Sequence, residues 1–113
     1  MNMDKIGLKI LVVGCTPLAR KTVDLVEEVA ELVGVVNLHP ELGAAKSNYD
    51  VLGDFIKRRP ADMHWTRDIN GVETISWIAD RKPDVIIQCG WSQIFRADIL
   101  GVQAKKYFAI NSC

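Results

Sequence analysis

Leu8-Lys9-Ile10-Leu11-Val12-Val13, followed by Gly14-Cys15-Thr16-Pro17, is the stretch whose reading decides the fold of this chain. Six residues that are almost continuously apolar and partly β-branched, closed by glycine, read as a strand buried on both faces, and such strands belong inside parallel sheets. Thr16 then supplies a helix N-cap and Pro17 the first helical position, where a missing N–H costs nothing. Leu18, Thr22, Leu25 or Val26, and Val29 recur at helical spacing and predict one buried face. Leu32 to Leu38 is a second β-rich run. Residues 8–38 therefore predict a βαβ unit whose helix is the crossover, right-handed by the general rule for parallel connections.

Working outward, residues 39–47 lack periodicity and hold Pro40 and Gly43, the character of a loop leaving the carboxyl end of a strand. Ser47 or Asp50 is placed to cap a helix whose buried stripe is Val51, Leu52, Phe55 and Ile56. Lys57-Arg58-Arg59 reads as its solvated end, and Pro60 stops it. Met63 to Thr66 reads as a short strand. Asn70-Gly71-Val72-Glu73 has the pattern of a capping box, with Val72, Ile75, Ile78 and Ala79 facing inward. That helix ends near Arg81-Lys82-Pro83. Asp84 to Cys89 is another buried strand, broken at Gly90; Arg96 to Leu100 reads as a short helix and Tyr107 to Asn111 as a last strand. The alternation predicts one domain over 1–113 of class α/β, a Rossmann-like three-layer sandwich with a mostly parallel sheet.

Composition narrows the partners. Fourteen basic and fourteen acidic side chains cancel, so no field of one sign is available to hold a phosphate backbone or an anionic membrane surface. Nucleic acid is disfavoured as the main partner. Cys15, Cys89 and Cys113 are odd in number and widely spaced, with no C-x-x-C, which fits reduced thiols in the cytosol better than disulfides or a zinc site. The first residues carry Asp4 and Lys5 ahead of a short apolar run, which is neither a signal peptide nor a membrane span, so a cytoplasmic protein is expected.

Several features could carry chemistry. Gly14 to Pro17 stands where a dinucleotide fold cradles phosphate at a helix start, but G-x-G-x-x-G and Walker patterns are absent and Pro17 removes a donor; packing is the stronger reading. Cys15 reads as a small buried filler, since no base accompanies it. His39 and His64 have the right pKa range for acid–base work, but neither has metal-ligand spacing to a second ligand. Gly90-Trp91-Ser92-Gln93-Ile94-Phe95 is the most informative turn. It leaves the carboxyl end of a buried strand, where parallel sheets bind ligands, and offers aromatic and aliphatic walls to a flat heterocycle; the competing reading is core packing for the next helix. Asn111, at the end of the last strand, carries an amide able to donate to a developing oxyanion.

Taken together, Lys9 to Pro17, Lys82 to Ile87, Gly90 to Phe95, Asp98-Ile99-Leu100 and Ile110-Asn111 resemble, in order and over nearly the whole chain, the folate-dependent formyltransferases. These include the methionyl-tRNA, glycinamide ribonucleotide and, nearest in pattern, sugar N-formyltransferases. The resemblance implies that Gly90, Trp91, Ser92, Gln93, Ile94 and Phe95 enclose the pterin of 10-formyltetrahydrofolate, largely through backbone groups. It also implies that Asn111 stabilises the tetrahedral intermediate formed when an amine, expected on a nucleotide-linked amino sugar, attacks the formyl carbon. The family's N-x-H histidine falls at Cys113, and its aspartate lies downstream of this chain. The sequence is thus expected to be the amino-terminal, folate-binding portion of the domain, incomplete beside the family's and inactive alone, with an exposed sheet edge open to homo-oligomer formation. Two alternatives stand beside it: a non-catalytic folate-binding or assembly module of the same fold, and an unrelated α/β nucleotide-binding domain.

Overall fold

The computed structural model describes residues 7–43 and 49–89 and the backbone of residues 106–110. Strand β1 (Lys9–Gly14) leads into helix α1 (Pro17–Val29) and strand β2 (Glu31–Leu38). One helical turn, α2 (Pro40–Gly43), occupies the start of the segment expected to be loop. Helix α3 (Gly53–Arg58), a 3-10 turn (Pro60–Asp62), strand β3 (Met63–Thr66), helix α4 (Val72–Arg81) and strands β4 (Val85–Cys89) and β5 (Lys106–Ile110) follow. The sheet order is β3-β2-β1-β4-β5, and every pairing is parallel. The fold is the expected Rossmann-like α/β sandwich.

Two cores make the three layers. Ile10, Val12 and Val35 pack with Val23 and Val26 of α1 and Phe55 of α3 on one face. Leu11, Val13, Val36 and Ile86 pack with Ile78 of α4 on the other. The unbroken apolar run of β1 is explained by this: successive side chains of a strand point to opposite faces, and both faces are covered. The strand β2 bears Gly34 because a Cβ there would come within 2.6 Å of the Trp77 ring of α4.

The helix faces match the sequence expectation in part: Val26, Leu52, Phe55 and Ile78 are buried as expected, and other positions are not. In α1 the buried residues are Ala19, Val23 and Val26, continued by Ala30, while Leu25 is exposed. In α4 they are Thr74 and Ile78; Val72 is 80% exposed and Ala79 exposed. No capping box forms, since Gly71 is the N-cap and no side chain caps it. Helix α3 likewise lacks a side-chain cap. Leu52 is its N-cap, in the left-handed region at φ 55°, and Val51 is exposed. Lys57 is exposed as expected, but Arg58 and Arg59 are not simply solvated: both bond Glu27 of α1 at 3.0 Å.

Lys82 closes α4 in the left-handed region at φ 50° and is exposed. A side chain there is strained where glycine is not. Lys82→Gly is expected to raise stability by about 0.5–1 kcal/mol, read as a higher urea midpoint with an unchanged slope.

Candidate functional site

The chain runs β1, β2, β3 outward in one direction, with α1 and α3 on one face, then crosses back over α4 to place β4 on the far side of β1. The strand order therefore reverses between β1 and β4, and the crevice beyond the carboxyl ends of these strands is where a sheet of this kind binds ligands. Gly14 of β1 is in register with Cys89 of β4, which is in register with Ile110 of β5.

Each described wall of that crevice follows from local chemistry. A Cβ on Gly14 would lie 2.6 Å from the Cys89 carbonyl oxygen and 2.5 Å from the Ala19 Cβ, so only glycine lets β1, β4 and α1 meet so closely. Cys89 is buried and its thiol donates to Thr22 Oγ1 of α1 at 3.3 Å; burial pushes its pKa up, which keeps it a neutral thiol. Cys15 is also buried, packed into the α4-side core as the expected filler. At the start of α1, Thr16 Oγ1 accepts from the Ala19 N–H at 3.4 Å, and Pro17 has no N–H to offer. A pyrophosphate would find few donors there.

A second feature closes the β1/β2 side of the same edge. Tyr49 packs into the core beneath α4 and Leu52 into the core beneath α1 and α3, so residues 49–52 form a strap over the carboxyl ends of the sheet. The Asp50 N–H donates to the Cys15 carbonyl at 2.8 Å. Tyr49 Oη donates to the Leu38 carbonyl at 2.7 Å, and Asn37 Nδ2 to the Asp50 carbonyl at 3.0 Å. Arg20 of α1 grips the Asp50 carboxylate with Nε and Nη2 at 2.8 and 2.7 Å, and Asp50 Oδ1 also accepts from the Leu52 N–H at 2.8 Å. The bonds from Arg20 hold the Asp50 carboxyl below the usual range despite partial burial.

His39 and His64 lie away from the switch point, in a cleft of about 440 Å³ at the carboxyl end of β3 that Thr66, Arg67 and Thr74 also line. Thr66 Oγ1 donates to the Asp68 carbonyl at 2.8 Å, which spends its one hydrogen. Thr74 Oγ1, 2.6 Å away, must then donate to Thr66, and His64 Nε2, 3.0 Å from Thr74 Oγ1, must carry a proton. Desolvation lowers the His64 pKa. His64 is thus held at Nε2 by Thr74 and stacked on Trp77, their centroids 5.1 Å apart. His39 Nδ1 accepts from the Glu41 N–H at 3.2 Å. Among the described residues no group of three His, Cys, Asp or Glu is placed to hold a metal ion, and no helix is long and apolar enough to cross a membrane.

The expected pterin residues Gly90, Trp91, Ser92, Gln93, Ile94 and Phe95, the Arg96 to Leu100 helix, and Asn111 lie outside the described residues. Asn37, Tyr49, Asp50 and Arg20 were not among the expected site residues. The sequence signal for them was a single asparagine inside the otherwise apolar run Val35-Val36-Asn37-Leu38. Compared with known proteins, the chain matches no family model and no curated protein.

Proposed function

We propose that the chain is the amino-terminal, folate-binding portion of a 10-formyltetrahydrofolate-dependent formyltransferase, acting on an amine of a nucleotide-linked amino sugar. The observation that supports this reading best is the register at the switch point. Cys89 and Ile110, the residues before Gly90 and Asn111, end adjacent parallel strands beside the β1/β4 crevice. The sequence Gly90 to Phe95, rich in aromatic and aliphatic residues, and the amide of Asn111 thus follow neighbouring strand ends in the chain, one suited by composition to a flat heterocycle and the other to a carbonyl oxygen that gains charge as an amine attacks. The filled helix start at Thr16-Pro17 and the strap over β1 and β2 argue against a dinucleotide in the usual phosphate position.

Cys113 where a histidine would serve as the proton carrier favours a second reading, a binding module that keeps the folate pocket without the chemistry. Calorimetric titration with 5-formyltetrahydrofolate, a stable folate, is expected to show saturable binding that Phe95→Ala weakens about tenfold or more, as the loss of an aromatic anchor does. Binding of NAD or ATP in place of the folate would overturn the proposal. Formyl release from 10-formyltetrahydrofolate with amino-sugar acceptors separates the two readings: turnover above buffer marks the enzyme, and binding without turnover the module.

A further inference from the structure

Asn37 is the residue that the β2 core does not account for. Val35 and Asn37 stand two apart on one strand, so they share the face packed by α1 and α3, and Asn37 has no exposed surface. An aliphatic side chain would fill that position without desolvating an amide. The amide is also imperfectly satisfied, because its Oδ1 has no hydrogen-bond partner among the described residues. Turning it over gives no relief: Oδ1 would then face the Asp50 carbonyl, acceptor against acceptor. Among the described residues the side chain makes one bond, from Nδ2 to the Asp50 carbonyl at 3.0 Å.

That bond has a consequence at the crevice. The peptide groups of Asp50 face both strands: its carbonyl is held by Asn37 of β2, and its N–H holds the carbonyl of Cys15, the first residue beyond β1. Cys15 follows Gly14, which packs against the Cys89 carbonyl at the switch point. A connected path thus runs from a buried amide in β2, through the strap, to the described wall of the crevice. We infer that Asn37 is a positioning residue for this crevice, fixing through Asp50 where the β1 exit stands against β4. The ligand in this assignment rests on the folate reading, whereas the positioning itself does not.

Two measurements on the full chain test it, using Asn37→Leu, which fills the space and removes the orphaned oxygen, and Asn37→Thr, close in size to valine and suited to a strand. In either variant the Asp50 amide is expected to exchange with deuterium about five- to tenfold faster relative to the amides of Val12 and Val35, the scale of one lost net hydrogen bond. Affinity for 5-formyltetrahydrofolate is expected to fall by a similar factor while the melting temperature stays within a few degrees of wild type. Unchanged Asp50 exchange in whichever variant folds overturns the inference, as does affinity that falls only in step with melting temperature. Should the wild-type chain bind no folate, the folate reading fails by itself, and the exchange ratio still decides the role of Asn37.

Discussion

Gly14→Val is expected to cost about 3 kcal/mol or more, enough to remove much of the stability of a small domain. The first added carbon alone would stand 2.5 Å from the Ala19 Cβ and 2.6 Å from the Cys89 carbonyl oxygen. Neither neighbour can turn away. Ala19 has no rotamer to change, and the Cys89 carbonyl belongs to a strand held between β1 and β5. Relief therefore requires α1 to lift from the sheet or β4 to part from β1, and either movement opens the core around Val12, Val23 and Val26. Urea unfolding followed by circular dichroism reads the effect as a much lower midpoint. A midpoint within experimental error of wild type would show that α1 sits further from β1 than described.

The strands were legible because their signal is doubly redundant. In β1 and β4 both faces are buried, so nearly every residue is apolar and the boundaries fall within one residue of those expected from sequence. The start of α1 was legible through Thr16 and Pro17, whose roles depend only on adjacent backbone. Helix phase was harder. Ala19 contributes little hydropathy, yet its smallness is what lets α1 close on Gly14, so the larger Leu18 entered the predicted stripe in its place, and of the alternatives Leu25 and Val26 it is Val26 that is buried. At α4 the reverse occurred: Val72 stands in the first turn facing solvent, while the polar Thr74 is buried because its hydroxyl joins His64 and Thr66.

The strap illustrates a different limit. Its partners are separated by 13 residues between Asn37 and Asp50 and by 30 between Arg20 and Asp50, and no local pattern encodes such pairs. Asp50 reads as a helix cap because aspartate before an apolar run often is one. Its carboxylate does accept the Leu52 N–H, but its larger role is to join α1 and β2 across the end of β1. The expectation of a ligand at the carboxyl edge of the sheet came without any sign that residues 49–52 close the β1/β2 half of that edge.

Asp62→Ala is expected to cost about 2 kcal/mol near neutral pH, because it unties the helices on both faces of the sheet at once. Asp62 Oδ2 accepts from Arg59 Nε at 2.9 Å, and its Oδ1 from Arg81 Nη1. Arg59 continues to Glu27 of α1 and to the Leu32 carbonyl, while Arg81 of α4 reaches the Val33 and Ala61 carbonyls and lies over the Trp77 ring. These ions are about three-quarters shielded from solvent, so the cost stands below that of a fully buried pair broken on one side. Burial alone would raise the Asp62 pKa, but bonds from Arg81 and Arg59 more than reverse that, and Glu27 is lowered in the same way by Arg58 and Arg59. A carboxyl whose folded pKa lies below its unfolded value of about 4 stabilises the fold fully above that value and loses its contribution as pH falls through the folded pKa. Wild-type stability is therefore expected to decline below about pH 4, and the Asp62→Ala variant to decline less steeply, so that the difference between them narrows. Urea midpoints of both proteins at pH 7 and pH 3 measure this directly. A difference that stays constant between the two pH values would assign the effect of Asp62 to packing in place of its charge.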